Sequence, residues 1–258
     1  MSGLTIIALD KITIGVRDMP AAVTAMERLL AREASGAPAA RTAFRLGNMT
    51  LELEPAEVEG PRALAFAVRD IDGAFRSAER RALEPQAPVA FADGRSIEFS
   101  ERATDGVPIR LVQYANASSL APTAPVGEGA VIGLDHVVIH TTHPTRAAAL
   151  YGARLGLDMR LDRTEPKWGA RLMFFRCGDL IVEVVHEVKD EPSDAPDRLW
   201  GLSWRVADAA IAHARLKASG VNVSEMRPGR KPGTRVFTVR DGTLGVPTLM
   251  LEPSAPNR

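Results

Sequence analysis

Five histidines and a single cysteine carry much of the chemistry this 258-residue chain can offer. Leu134 to His140 alternates like a strand, which puts His136, Val138 and His140 on one face and Val137 and Ile139 on the other. Imidazoles four positions apart on one face of a strand stand about 13 Å from each other, and share one ion only if both lean inward. A divalent ion held by a few nitrogen and oxygen donors, with positions left open, polarises substrate oxygens, and that is the chemistry this pair raises. The other candidates are weaker. His143 next to Pro144 and His213 on a helix read as surface residues, and His186 as structural. Cys177 lies between an apolar strand and a turn with no base adjacent, so a nucleophilic role is not expected. Gly229-Arg230-Lys231-Pro232-Gly233 is basic and glycine-flanked, but lacks both the spacing of a phosphate loop and a following helix.

The elements that position these residues are repeated. Leu9-Asp10-Lys11-Ile12-Thr13-Ile14 resembles Leu134-Asp135-His136-Val137-Val138-Ile139. Phe44-Arg45-Leu46-Gly47-Asn48 to Glu52 matches Phe175-Arg176-Cys177-Gly178-Asp179 to Glu183. Ala63 to Asp70 matches Gly201 to Asp208, and Gly106-Val107-Pro108 matches Gly245-Val246-Pro247. Four matches in the same order indicate duplication. Between the copies, residues 116–131 are small, Pro- and Gly-rich, and read as a linker between domains at 8–115 and 132–253.

Within each half a strand, a helix and three strands recur. Helices are expected near Met19 to Arg32, Ile71 to Arg81, from Pro144 to about Gly156, and Asp208 to Ala218. In the second half, strands are expected at Leu157 to Arg163, Arg171 to Cys177 and Leu180 to Val188. Further strands follow at Val221 to Met226, Arg235 to Val239 and Thr248 to Glu252. Gly178-Asp179 makes a tight turn. The fold class is therefore α+β, with four βαβββ modules.

Composition narrows the partners. Hydrophobic residues make up 45% and charged residues 25%, enough to bury a core. Lys plus Arg and Asp plus Glu balance at 32 each, so no net field recruits nucleic acid or an anionic membrane. No run approaches the roughly 20 apolar residues of a membrane span. One cysteine cannot form an internal disulfide, which suits a cytoplasmic protein, monomeric or homodimeric.

Leu134 to Ile139, followed by Leu150-Tyr151-Gly152-Ala153-Arg154-Leu155-Gly156-Leu157, resembles the opening module of the vicinal oxygen chelate superfamily, the glyoxalase, bleomycin-resistance and extradiol-dioxygenase relatives. Val-x-Asp strand endings at Asp18, Asp70 and Asp208 fit as well. The resemblance implies two glyoxalase-like lobes with curved mixed sheets, each closing a cup. It also implies metal ligands on the first strand (His or Gln) and last strand (Glu) of a module. The third module has both, His136 and Glu183. The corresponding positions are Gly201 and Leu249 in the fourth module, Ala63 and Arg110 in the second, and Lys11 and Glu52 in the first.

A full family-type metal site is thus not expected, whichever modules pair. The leading expectation is a cup that binds a small organic metabolite, with no cofactor or one divalent ion (Fe, Mn, Ni, Co or Zn). His136 and Glu183 are the candidate catalytic or metal-binding residues, and His140, Ser203, Arg205 and Arg110 the candidate ligand contacts. Small residues at Ala63, Ala65, Ala67, Gly201 and Ser203 would leave cup volume open. The arginines would clamp a carboxylate or phosphate. A histidine beside a carboxylate can also act as a general base without metal. The alternatives are a metal-dependent lyase, isomerase or extradiol-type dioxygenase using His136 and Glu183, and a non-catalytic interaction module.

Overall fold

The computed structural model describes residues 3–35, 41–116, 123–125 and 127–254. Most of the expected linker's centre, residues 117–122 and 126, lies outside the described residues. The first half runs β1 (Ile6–Val16), α1 (Met19–Leu30), β2 (Thr42–Arg45), β3 (Thr50–Pro55), β4 (Gly60–Val68), α2 (Ile71–Arg80), β5 (Val89–Phe91), β6 (Gly94–Glu98) and β7 (Ile109–Tyr114). The second half runs β8 (Val131–His140), α3 (Pro144–Ala148), a π-helical turn (Ala149–Arg154), β9 (Asp158–Glu165), β10 (Ala170–Cys177) and β11 (Leu180–Glu187). It ends with β12 (Arg198–Val206), α4 (Ala209–Ala218), β13 (Arg227–Pro228), β14 (Arg235–Val239) and β15 (Thr248–Glu252).

Each half forms one curled mixed sheet, ordered β2-β3-β1-β4-β7-β6-β5 and β13-β14-β15-β12-β8-β11-β10-β9. The first strands of two modules are neighbours at the middle of each sheet (β1 with β4, β8 with β12), so the modules join within halves. By packing, the chain divides into two compact units. One gathers the second and third modules with the start of β1; the other gathers the first and fourth modules with the start of β8.

The recurring sequence signals have local physical causes. Each Val-x-Asp ending carries the N-cap of the helix that follows. Asp18 accepts from Ala21 N, Asp70 from Gly73 N, and Asp208 from both Ala210 N and Ile211 N. The third module has no such aspartate, and His143 Nδ1 accepts from Arg146 N in its place. The Gly-Val-Pro repeat is a turn: Gly106 and Gly245 have φ of +93° and +72°, a region open to glycine. It delivers the Pro108 and Pro247 carbonyls to Leu64 N and Leu202 N at 3.0 and 2.9 Å, where the parallel pairs β4/β7 and β12/β15 begin.

Two expectations need correction. Val221 to Met226 is not a strand; only Val223 makes an isolated bridge, to Val239, and regular pairing starts at Arg227–Pro228. Among the described residues the first module has two strands after its helix, not three. The helix-facing residues of the second half are core: Val137, Ile139, Tyr151, Phe175 and Trp204 are all fully or almost fully buried. No helix among the described residues is long and apolar enough to cross a membrane.

Candidate functional site

β8 and β12 lie side by side and bring four polar residues together. His136 Nδ1 is 2.9 Å from Asp135 Oδ2, and His136 Nε2 is 2.7 Å from Ser203 Oγ. A carboxylate only accepts, so His136 Nδ1–H donates to Asp135; Nε2 then accepts from the Ser203 hydroxyl. Arg205 Nε donates to Asp135 Oδ1 at 3.3 Å. Burial alone would raise the Asp135 carboxyl, but the His136 hydrogen bond and the Arg205 charge outweigh it and hold it below the usual carboxylate range. Ser203 is buried, while the side chains of His136 and Asp135 keep 18% and 26% of their surface. That residual exposure is what a small molecule would need to reach the ring.

Asp135 was not foreseen. Strict alternation turns residues 135 and 136 to opposite faces, yet both are half-buried and bonded to each other. Only its place next to His136 in the sequence hinted at it.

The remaining candidates have the following surroundings. Glu183 is buried on β11, directly across from Phe174 of β10. His140 stacks on Trp200, ring centres 4.7 Å apart and planes 20° from parallel. Burial lowers the His140 pKa, Arg198 lowers it further, and Glu187 opposes them. Arg110 sits opposite Glu98 in the β6/β7 register, with Nε 2.8 Å from the carboxylate, so its charge is already paired. Arg205 is likewise held by a carboxylate. Gly201, where the resemblance places a fourth-module ligand, cannot easily carry one: an added Cβ would stand 3.0 Å from the Pro247 carbonyl oxygen.

Of the residues read as non-functional, His186 is buried with Nδ1 3.2 Å from Thr141 O, and His213 packs edge-on against Phe237. Cys177 is buried and its thiol is pushed up to about 12 by burial and by Asp179.

Do these donors suit a divalent ion? Both His136 ring nitrogens already face protein partners, so an ion on Nε2 would have to displace Ser203. No group of three or more His, Cys, Asp or Glu side chains suited to a metal occurs among the described residues. The donor set does not fit a resident metal as it stands.

A cavity of about 350 Å³ lies elsewhere, lined by Glu101, Arg102, Asp105, Gly106, Arg146, Asp194 and Pro196. None of the candidate residues lines it. Its walls come from loop and helix-start positions distant in sequence, which no motif linked.

Residues 135–238 match the model of the glyoxalase/bleomycin resistance protein/dioxygenase superfamily. Solved structures match nearly the whole chain. A Mn(II)-bound glyoxalase from Novosphingobium aromaticivorans is 17% identical over 96% of this chain and 82% of its own, with TM-score 0.74. The 2,2',3-trihydroxybiphenyl 1,2-dioxygenase of Sphingomonas wittichii is 14% identical over 96% and 91%, with TM-score 0.74. A 2,3-dioxygenase from a Pseudomonas species is 14% identical over 97% and 94%, with TM-score 0.71. No curated protein matches the chain. Over residues 135–238 the chain is thus similar to the glyoxalase/bleomycin resistance protein/dioxygenase superfamily, and over nearly its whole length it shares the fold of these solved structures.

Proposed function

We propose that the second glyoxalase-like domain binds a small organic molecule bearing a carbonyl or carboxylate, with His136 as its acid–base group. The observation that carries this reading is the Asp135–His136–Ser203 chain, in which each ring nitrogen has its own partner. Asp135 fixes the tautomer and orientation of the ring, leaving Nε2 as the basic nitrogen. Ser203 holds Nε2 until a ligand hydroxyl or acidic C–H takes its place. Arg205 restrains Asp135 and lends positive charge beside the ring. Gly201, on the same strand as Ser203, completes the proposed surface.

The superfamily's metal-dependent lyases, isomerases and dioxygenases provide the second reading, favoured by the Mn(II) named for a glyoxalase of the same fold. Elemental analysis of freshly purified protein, alongside His136→Ala, separates the two. Protein without stoichiometric Mn, Fe, Co, Ni or Zn, and without thermal stabilisation by these ions, supports the metal-free reading. Stoichiometric metal that disappears in His136→Ala overturns it in favour of the metalloenzyme. Within the metal-free reading, diketone and 2-oxo acid probes are expected to raise the melting temperature of wild type but not of His136→Ala.

A further inference from the structure

Asp105, in the turn before β7, and Asp197, just before β12, are jammed together by their backbones. Asp197 N donates to Asp105 O at 2.7 Å, and a Cβ on Gly106 would come 2.4 Å from Pro196 Cβ. The Asp197 side chain is completely buried and that of Asp105 nearly so, at 0% and 11% exposure. One guanidinium serves both. Arg146 Nε lies 3.2 Å from Asp105 Oδ1, too misaligned for a hydrogen bond, and Nη2 lies 3.3 Å from Asp197 Oδ1. Thr141 Oγ1 also donates to Asp197 Oδ1, at 2.8 Å. The other oxygens, Asp105 Oδ2 and Asp197 Oδ2, are buried without a hydrogen-bond partner among the described residues, and so is the hydroxyl of the fully buried Tyr151.

Two ionised carboxylates here would set two negative charges against the single charge of Arg146. The neighbours do not restore the balance. Arg154 and His143 face Asp105 from α3 and its π-helical extension, but the Arg154 guanidinium is bound to the Arg81 and Ala82 carbonyls. Asp194 draws on Arg146 from the solvent side, at 3.8 Å. Buried charge without a partner is costly, and oxygens with no accessible surface admit neither water nor a metal ion. A proton is the one partner small enough to reach them.

We propose that Asp105 and Asp197 hold one proton between them in the folded protein, a proton-linked latch joining the second and third modules. With that proton the cluster of two carboxyls and Arg146 is electrically neutral. Its loss leaves a net negative charge beside a cavity lined by Glu101 and Asp194, where the one further cation, Arg102, is paired with Glu84, so the two segments are pushed apart. The directions of titration agree. Burial raises Asp105 against the opposing pull of Arg146, Arg154 and His143. Burial raises Asp197 as well, and Asp105 adds to it, against Thr141 and Arg146.

Carboxyl carbonyl absorption in the infrared, on full-length protein at about pH 6, tests the latch together with urea unfolding from pH 4 to 8. Wild type is expected to show one protonated carboxyl, absent from Asp197→Asn or Asp105→Asn. A carboxyl raised in the folded state stabilises it below the folded pKa and loses that contribution as pH rises. The unfolding constant of wild type relative to Asp197→Asn is therefore expected to climb by up to roughly tenfold per pH unit above the unfolded value of 3.8, then level off. Parallel pH profiles, or no protonated carboxyl in wild type, would overturn the proposal. Should both asparagine variants fail to fold, the infrared signal of wild type labelled in its aspartate carboxyls decides alone.

Discussion

Replacing Ser203 with alanine removes one hydroxyl from the interior of β12 and leaves the backbone untouched. The lost hydrogen bond to His136 Nε2, 2.7 Å long, has a net worth of about 1 kcal/mol. A ring nitrogen left without a partner adds up to about 1–3 kcal/mol when sealed from water. Because the His136 side chain keeps 18% of its surface, water recovers part of that cost. The sum is about 1–2 kcal/mol, and each kcal/mol lowers the melting temperature of a chain this size by about 2–4 °C. Urea unfolding followed by tryptophan fluorescence measures it, with Ser203→Ala, His136→Ala and the double variant forming a cycle. The expected coupling is about 1 kcal/mol. Additivity within about 0.3 kcal/mol would mean that the two side chains do not interact, and the relay reading would fall with it.

Two further outcomes follow from titration. The His140 pKa lies below its usual value, so the unfolded chain binds more protons as pH falls through 6.5. Stability should be level above that pH, decline below it, and lose this contribution to the slope in His140→Gln, as read from urea midpoints between pH 5 and 8. Cys177, with its thiol pushed up to about 12, holds ~10⁻⁴ of its population as thiolate at pH 8. Ellman's reagent should therefore react only on unfolding; rapid reaction of the native protein would show that the β10–β11 turn opens.

The fold was legible because its signals are periodic and repeated. Alternation marked β8, β10, β11, β14 and β15, and duplication marked the modules. The Val-x-Asp endings were visible as a pattern, and their cause is helix capping. Val221 to Met226 misled because alternation records which residues suit a strand, not how far a neighbouring strand stays paired with it; there, Asn222 and Ser224 bond to Arg240 and Thr238 around the single bridge at Val223. At the site, His136 and Ser203 stood on neighbouring first strands and could be named. Asp135 could not, since its side chain departs from the alternation that made His136 readable. Asp105, Arg146 and Asp197 come from a turn, a helix start and a loop, where no spacing rule connects one to another.

The placement of β8 and β12 in the middle of their sheet has a consequence for how the protein comes apart. Amides on central strands exchange with solvent mainly through the largest openings of a domain, while edges such as β9 and β13 fray at little cost. The relay therefore rides on the slowest-exchanging part of its domain. Partial opening at the rims would leave the geometry at His136 undisturbed, and with it the binding proposed there. Ligand binding should survive every sub-global fluctuation and vanish only with the central strands themselves, so loss of binding in denaturant should coincide with loss of the sheet.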